Sequence, residues 1–371
     1  MADVKENSEY LESQILTYMG NKRSLLSHIG EEILRIQNDL NVRKLVCLDL
    51  FSGSGIVARY LKQFSSAVYA NDLEAYSWVI NSCYLTNQSE FDKTLYLSCL
   101  SDVMSAVHEC PVVDGIISQN YAPINTNAIK AGERVFYTHE NAVLIDSIRY
   151  YIDKLVPEHY RKYFLARLLT EASVHVNTSG VFKGFYKDKN TGVGKFGGAG
   201  ENALVRILGS IDMACPILSN FETEYRVYQE NANILVRNLD AVDVAYLDPP
   251  YNQHPYGSNY FMLNVILNNK LPADISEVSG IPLDWNRSAY NRRADALSSL
   301  DDLLSNLHAK YVVISYNNEG FISKSEMEEM LSKYGDLSTR VIEYNAFRGS
   351  RNLRNRSLKT NEYLFVLRKD C

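Results

Sequence analysis

The sequence predicts an α/β protein built on a doubly wound, mostly parallel sheet of Rossmann type. Three observations carry this prediction. An apolar run closed by glycines, "KLVCLDLFSGSG", is followed by a helical pattern, a second short apolar run and another helical pattern. The same alternation returns later in "YRVYQENANILVRNL", "VDVAYLDPP" and "YVVISYNNEG". Finally, the run "VDVAYL" stops on Asp248 and two prolines. Proline has no N–H to offer a central strand, so this strand ends abruptly. It ends at the carboxyl edge, where open α/β sheets bind ligands.

Taken in order, residues 1–14 read as a loose polar arm. Ser24 to Leu40 carries Leu25, Leu26, Ile29, Ile33, Leu34 and Ile36 at helical spacing. "IVARYLKQF" reads as a helix, "AVYAND" as a strand ending on Asp72, and "LEAYSWVINSCYLTNQ" as a helix. The alternation then breaks. Residues 112–225 hold two helical stretches, "HENAVLIDSIRYYIDKLV" and "EHYRKYFLARLLTEASVHV", and a loop rich in Gly, Lys and Asn. This block reads as an inserted, largely helical domain between a first part, 15–111, and a second part, 226–371, with "EYLFVLRK" as the closing strand.

A chain of 371 residues can bury a large core, and 46% hydrophobic with 22% charged residues is ordinary globular composition. A net charge of −6 argues against a generic nucleic-acid binder, although local basic patches are not visible in a total. The six cysteines are scattered with no C-x-x-C pair, which predicts free thiols of a reduced compartment and no metal site. The polar start lacks the apolar core of a signal peptide, and no apolar run spans a bilayer. The expectation is a cytoplasmic protein without membrane partners.

Four motifs carry chemistry. Gly53 and Gly55, after a buried strand, let backbone approach a ligand closely, though a tight strand–helix turn alone would use the same glycines. The third glycine of the G-x-G-x-x-G pattern is missing, which disfavours a nicotinamide dehydrogenase. Asp72 closes the next strand, where an acid can accept from ribose hydroxyls. "YMGNKR" offers backbone donors and a cation just before a helix. In "DPPY", Asp248 and a carbonyl within the rigid proline pair can accept from an exocyclic amine, and Tyr251 gives a flat face for its ring.

The ordered set "YMGNKR", "LDLFSGSG", "YAND" and "DPPY" resembles the S-adenosylmethionine-dependent N6-adenine DNA methyltransferases of the Dam-like alpha group. "DPPYNQHPYGSNYFMLN" and "FRGSRNLRNR" are most similar to the FokI-type (type IIS) modification methylases. The resemblance implies a class I methyltransferase sheet with helices on both faces, and a target-recognition role for 112–225. It implies that Asp49, Phe51, Gly53 and Gly55, with Tyr18, Gly20, Asn21 and Lys22, hold the methionine end of S-adenosylmethionine. Asp72 would take the ribose and Asn231 the adenine end, where relatives often carry an acid; Asp248 would also face the cofactor. Asp248, Pro249, Pro250 and Tyr251 would receive a flipped-out adenine.

Double-stranded DNA is the implied partner. Lys183, Lys187, Lys189 and Lys195 in the insertion loop, and Arg348, Arg351, Arg354, Arg356 and Lys359 near the C-terminus, are the candidate contacts. The resemblance further implies a monomeric enzyme serving a restriction–modification system with a cognate endonuclease. Three alternatives share the sequence features: a cytosine-N4 enzyme, an enzyme acting on RNA adenine, and a catalytically silent DNA-binding module. Asp in place of Ser before Pro-Pro-Tyr favours adenine over cytosine.

Overall fold

The structure, a computed structural model, describes residues 5–198, 203–345 and 359–370. The first elements are α1 (Ser8–Glu12), α2 (Leu26–Asp39), β1 (Leu45–Asp49), α3 (Ile56–Leu61), β2 (Ser65–Asp72) and α4 (Ala75–Tyr84). A helical stretch follows: α5 (Lys93–Glu109), α6 (Ile116–Asn120), α7 (His139–Leu155), α8 (Arg161–Val174) and α9 (Leu204–Leu208). Then come β3 (Glu224–Gln229), α10 (Ala232–Leu235), β4 (Val242–Leu247), α11 (Tyr256–Asn259), α12 (Phe261–Asn268) and α13 (Ala296–Asn306). The chain closes with β5 (Ala309–Asn317), α14 (Lys324–Leu331), β6 (Gly335–Asn345) and β7 (Lys359–Lys369).

The seven strands form one sheet in the order β3-β2-β1-β4-β5-β7-β6. The first five run parallel, and β7 is antiparallel to both β5 and β6. The Rossmann-like sheet expected from the sequence is therefore present. The strand order reverses between β1 and β4, which pair with Asp49 opposite Tyr246. That reversal opens a crevice at the carboxyl edge.

Each face of the sheet has its own apolar layer. On one, α2 buries Ile29, Ile33 and Ile36, one helical stripe, against β1 and β2. Leu34 belongs to the predicted set but lies off the stripe, half exposed. A second layer packs α13 and α14 on β4 and β5. The helices of 112–225 pool their apolar faces with α4, α5 and α12 in one continuous core that includes Tyr76, Ile80, Ile148, Phe164 and Phe261.

One expectation needs correcting. From residue 5 on, the N-terminal arm is docked, not loose: α1 buries Tyr10, whose hydroxyl donates to the Tyr84 carbonyl at 2.6 Å. The buried Arg59 guanidinium donates to the Tyr10 carbonyl and lies 5.4 Å from its ring. A single aromatic in a polar segment has no periodicity to announce this. No helix among the described residues is long and apolar enough to cross a membrane.

Candidate active site

A cavity of about 330 Å³ opens at the carboxyl ends of β1, β2 and β4. Eleven of the sequence-predicted residues line it: Tyr18, Gly20, Asn21, Lys22, Asp49, Phe51, Gly53, Asp72, Asn231, Asp248 and Pro250. Gly55, Pro249 and Tyr251 stand just outside that lining. Glu74, Asn286 and Tyr290, which no motif singles out, also line it.

The glycine loop shapes one wall. Gly53 and Gly55 have φ of 52° and 75°, a left-handed conformation that a Cβ disfavours. A Cβ on Gly53 would also sit 2.7 Å from the Tyr18 ring. Asp49, 1% exposed, accepts from the Ala58 N–H through Oδ2 at 2.9 Å, tying β1 to the start of α3. Its Oδ1 is buried without a hydrogen-bond partner. Burial pushes the Asp49 carboxyl up to about 7, against the pull of Ser52 and the Ala58 N–H.

Asp72 holds the loop from the other side. Its two oxygens accept from the N–H groups of Gly53 at 2.7 Å and Glu74 at 2.9 Å. Each oxygen keeps a further lone pair. Glu74 accepts from Asn264 Nδ2 at 2.7 Å, and burial followed by the Asp72 charge raises its carboxyl to about 7. At the far end Asn231 caps α10, its Oδ1 accepting from Asn233 N–H at 2.9 Å.

An aromatic stack braces the turn before α2. Tyr18 clusters with Tyr256 and Tyr260, its ring centroid 5.0 and 4.6 Å from theirs and theirs 6.0 Å from each other. Tyr260 Oη accepts from the Met19 N–H at 2.7 Å, and Tyr256 Oη donates to the Met19 carbonyl at 3.3 Å. The tyrosines after "DPPY" thus lock the "YMGNKR" turn in place. His254 stays exposed beside an Asx turn on Asn252.

Lys22 lines the cavity as expected and also reaches the "DPPY" motif. Its ammonium is 2.9 Å from Asp248 Oδ1 and 3.1 Å from Glu362 Oε1, and it donates to the Gly20 carbonyl at 3.3 Å. Burial opposes this charge, but Asp248 and Glu362 outweigh it and hold the lysine well above its usual range. Burial lifts the Asp248 carboxyl to about 6, with Lys22 pulling it down. The Asp248 side chain keeps 19% exposure. Tyr251 stands edge-on to Tyr316 at 6.1 Å, and its carbonyl accepts from Phe321 N–H.

Of the basic residues, Lys183 lies in a loop tied to the site: Phe182 N–H donates to the Asn259 carbonyl at 2.7 Å, and Ser279 Oγ donates to the Lys183 carbonyl at 2.8 Å. Lys187 is exposed over the Phe185 ring, and Lys195 is half-buried. Arg348, Arg351, Arg354 and Arg356 lie outside the described residues, as does the side chain of Lys359.

Fold and site together define a Rossmann-like α/β enzyme working at the carboxyl edge of its sheet. Residues 18–330 match the D12 class N6 adenine-specific DNA methyltransferases, and the chain belongs to that family. It is 30% identical to the type II methyltransferase M.NlaIII of Neisseria lactamica, over 95% of this chain and 99% of that protein. It is likewise 30% identical to M.CviAII of Paramecium bursaria Chlorella virus 1, over 94% and 97% of the two chains. M.FokI of Planomicrobium okeanokoites is 25% identical over 96% of this chain, which spans 53% of that longer protein.

Proposed function

We propose that this enzyme transfers a methyl group from S-adenosylmethionine to N6 of an adenine in double-stranded DNA, as the modification partner of a cognate restriction endonuclease. The observation that carries the reading is Asp248. It is a carboxylate at the end of β4, held by Lys22 on the cavity that the glycine loop also lines.

The residues present fit the methyl donor. Asp49 Oδ1, buried and without a partner, is an acceptor for an ammonium group. Gly53 leaves room where a side chain would strike Tyr18. Asp72 retains lone pairs for ribose hydroxyls, and Asn231 lines the end suited to an adenine. When bound, S-adenosylmethionine supplies an electrophilic methyl group on sulfur.

The chain's own residues then make the adenine amine reactive. Its nitrogen lone pair is delocalised into the ring, so it is a poor nucleophile. Asp248 and the Pro249 carbonyl accept its two hydrogens and favour a pyramidal nitrogen with the lone pair freed from the ring. Orientation and preorganised acceptors supply most of the acceleration. Asp248, raised to about 6, is ionised at neutral pH and able to hold the proton that the methylated amine sheds. Tyr251 stacks on the extruded base, offsetting an unstacking cost on the order of 1–3 kcal/mol.

Segment 112–225 serves target recognition in this reading, and Lys183, Lys187 and Lys195 contact phosphates. Its support is the loop around Lys183, hydrogen-bonded next to the helix that follows "DPPY". Methylation-sensitive sequencing of DNA from a host expressing the chain tests the whole reading. N6-methyladenine in a fixed sequence context is expected; none above background would overturn it.

A further inference from the structure

We propose that Glu362 is a positioning residue for Asp248: it shares the Lys22 ammonium, so that Asp248 keeps acceptor capacity for the substrate amine. The inference rests on the reading of Asp248 as the group that meets the adenine amine.

The geometry that carries it begins with sheet order. Because β7 runs antiparallel to β5, its first residues arrive at the carboxyl edge, with Glu362 opposite Asn317. There Glu362 is 1% exposed. Ser315 Oγ donates to its Oε1 at 2.5 Å and Asn317 Nδ2 to its Oε2 at 3.2 Å, so β5 fixes the carboxylate from below. An ammonium has three N–H donors. Here they find three acceptors: the Gly20 carbonyl, Asp248 Oδ1 and Glu362 Oε1. Asp248 is thus engaged through one oxygen, and among the described residues nothing donates to its Oδ2.

A lysine facing Asp248 alone would place its full charge on that carboxylate. It would draw in the second oxygen and weaken it as an acceptor. A second carboxylate divides the ammonium and leaves the trio with one net negative charge, next to the point where positive charge develops on the amine. Among the described residues, the other ionisable groups that act on Asp248 or on its immediate neighbours include Asp49 on β1, Asp72 on β2, Tyr246 on β4, Tyr251 in the proline loop, Tyr256 on α11 with Tyr260 beside it, and Glu319 after β5. Of these groups and the trio, Lys22 supplies the positive charge.

The test compares full-length wild type, Glu362→Gln, Glu362→Asp and Asp248→Ala. It measures single-turnover methyl transfer to DNA across pH, cofactor affinity by calorimetry, and melting temperature. Glu362→Gln is expected to slow transfer about 10- to 100-fold at saturating cofactor and DNA, with cofactor affinity unchanged. Losing the Glu362 charge lowers the Asp248 pKa, so the acid limb of the rate profile moves to lower pH. Glu362→Asp, which keeps the charge, returns the limb towards wild type. An unaltered rate and limb in Glu362→Gln overturn the inference. So does a proportional fall of rate, cofactor affinity and melting temperature, the mark of a merely structural role. If Asp248→Ala is inactive while Glu362→Gln behaves as wild type, Glu362 alone is misassigned. Activity in Asp248→Ala overturns the Asp248 reading and this inference with it.

Discussion

Lys22 Nζ and Asp248 Oδ1 stand 2.9 Å apart, joining the turn before α2 to the end of β4. The contact links the motif expected to bind the cofactor with the motif expected to receive the base. It makes one electrostatic unit of two segments that are remote in sequence.

Asp248→Ala is expected to abolish methyl transfer while leaving cofactor binding intact. The wild-type rate should fall on the acid side of about pH 6, because Asp248 acts as an anion and protonation removes its acceptor capacity. A labelled-methyl assay reads both. A rate that stays flat down to about pH 5 would count against the assignment.

Lys22→Met removes the cation that Asp248 and the buried Glu362 share. Breaking a buried ion pair from one side costs about 3–5 kcal/mol. Chemical denaturation should show a loss of that order, together with loss of activity. A variant as stable as wild type would mean that the trio is well solvated.

Cofactor affinity should depend on pH through Asp49. With its carboxyl at about 7 in the free enzyme, protonation below that value competes with an incoming ammonium group. Calorimetry should find binding weakening as pH falls from about 8 to about 6. Asp49→Asn should weaken binding about tenfold or more at neutral pH, the size of a lost charged hydrogen bond, and flatten this dependence.

Gly53→Ala strains a φ of 52° and drives a Cβ to 2.7 Å from the Tyr18 ring. The backbone cost is about 1–2 kcal/mol. Displacement of the tyrosine stack should add a larger loss in cofactor affinity than in melting temperature. The two are compared by calorimetry and thermal unfolding on one preparation.

Tyr10→Phe removes a 2.6 Å hydrogen bond to the Tyr84 carbonyl and should cost about 1 kcal/mol, seen as a lower urea midpoint. Tyr10→Ala also empties a buried site and should cost about 3–5 kcal/mol. Neutral outcomes for both would restore the view of the N-terminal arm as a loose appendage.

The sheet and the core of the site were legible from local pattern. β1, β2, β4 and β5 are apolar runs ended by glycine, aspartate or proline, and both features are properties of a few consecutive residues. β6 lacks that signal: "GDLSTRVIEYN" is mostly polar, as suits a strand at the sheet edge, and among its described side chains Ile342 is the buried one. The helix α5 does repeat Tyr96, Cys99, Val103 and Val107 at helical spacing, but Leu97, Leu100 and Met104 lie off that line and blur the stripe.

By itself the sequence brought Gly53, Asp72 and Asp248 to the cavity, because each ends or follows a strand whose apolar pattern places it in the sheet, while Glu74, Asn286 and Tyr290 carried no such signal. Tertiary structure alone decided what those residues touch. Tyr10 under α4, the Tyr18–Tyr256–Tyr260 stack and Glu362 at Lys22 are each set by contacts between distant segments. The reason is physical: periodicity records which face of an element is buried. Only strand order and register, here an antiparallel β7 beside β5, determine which charges share the buried space.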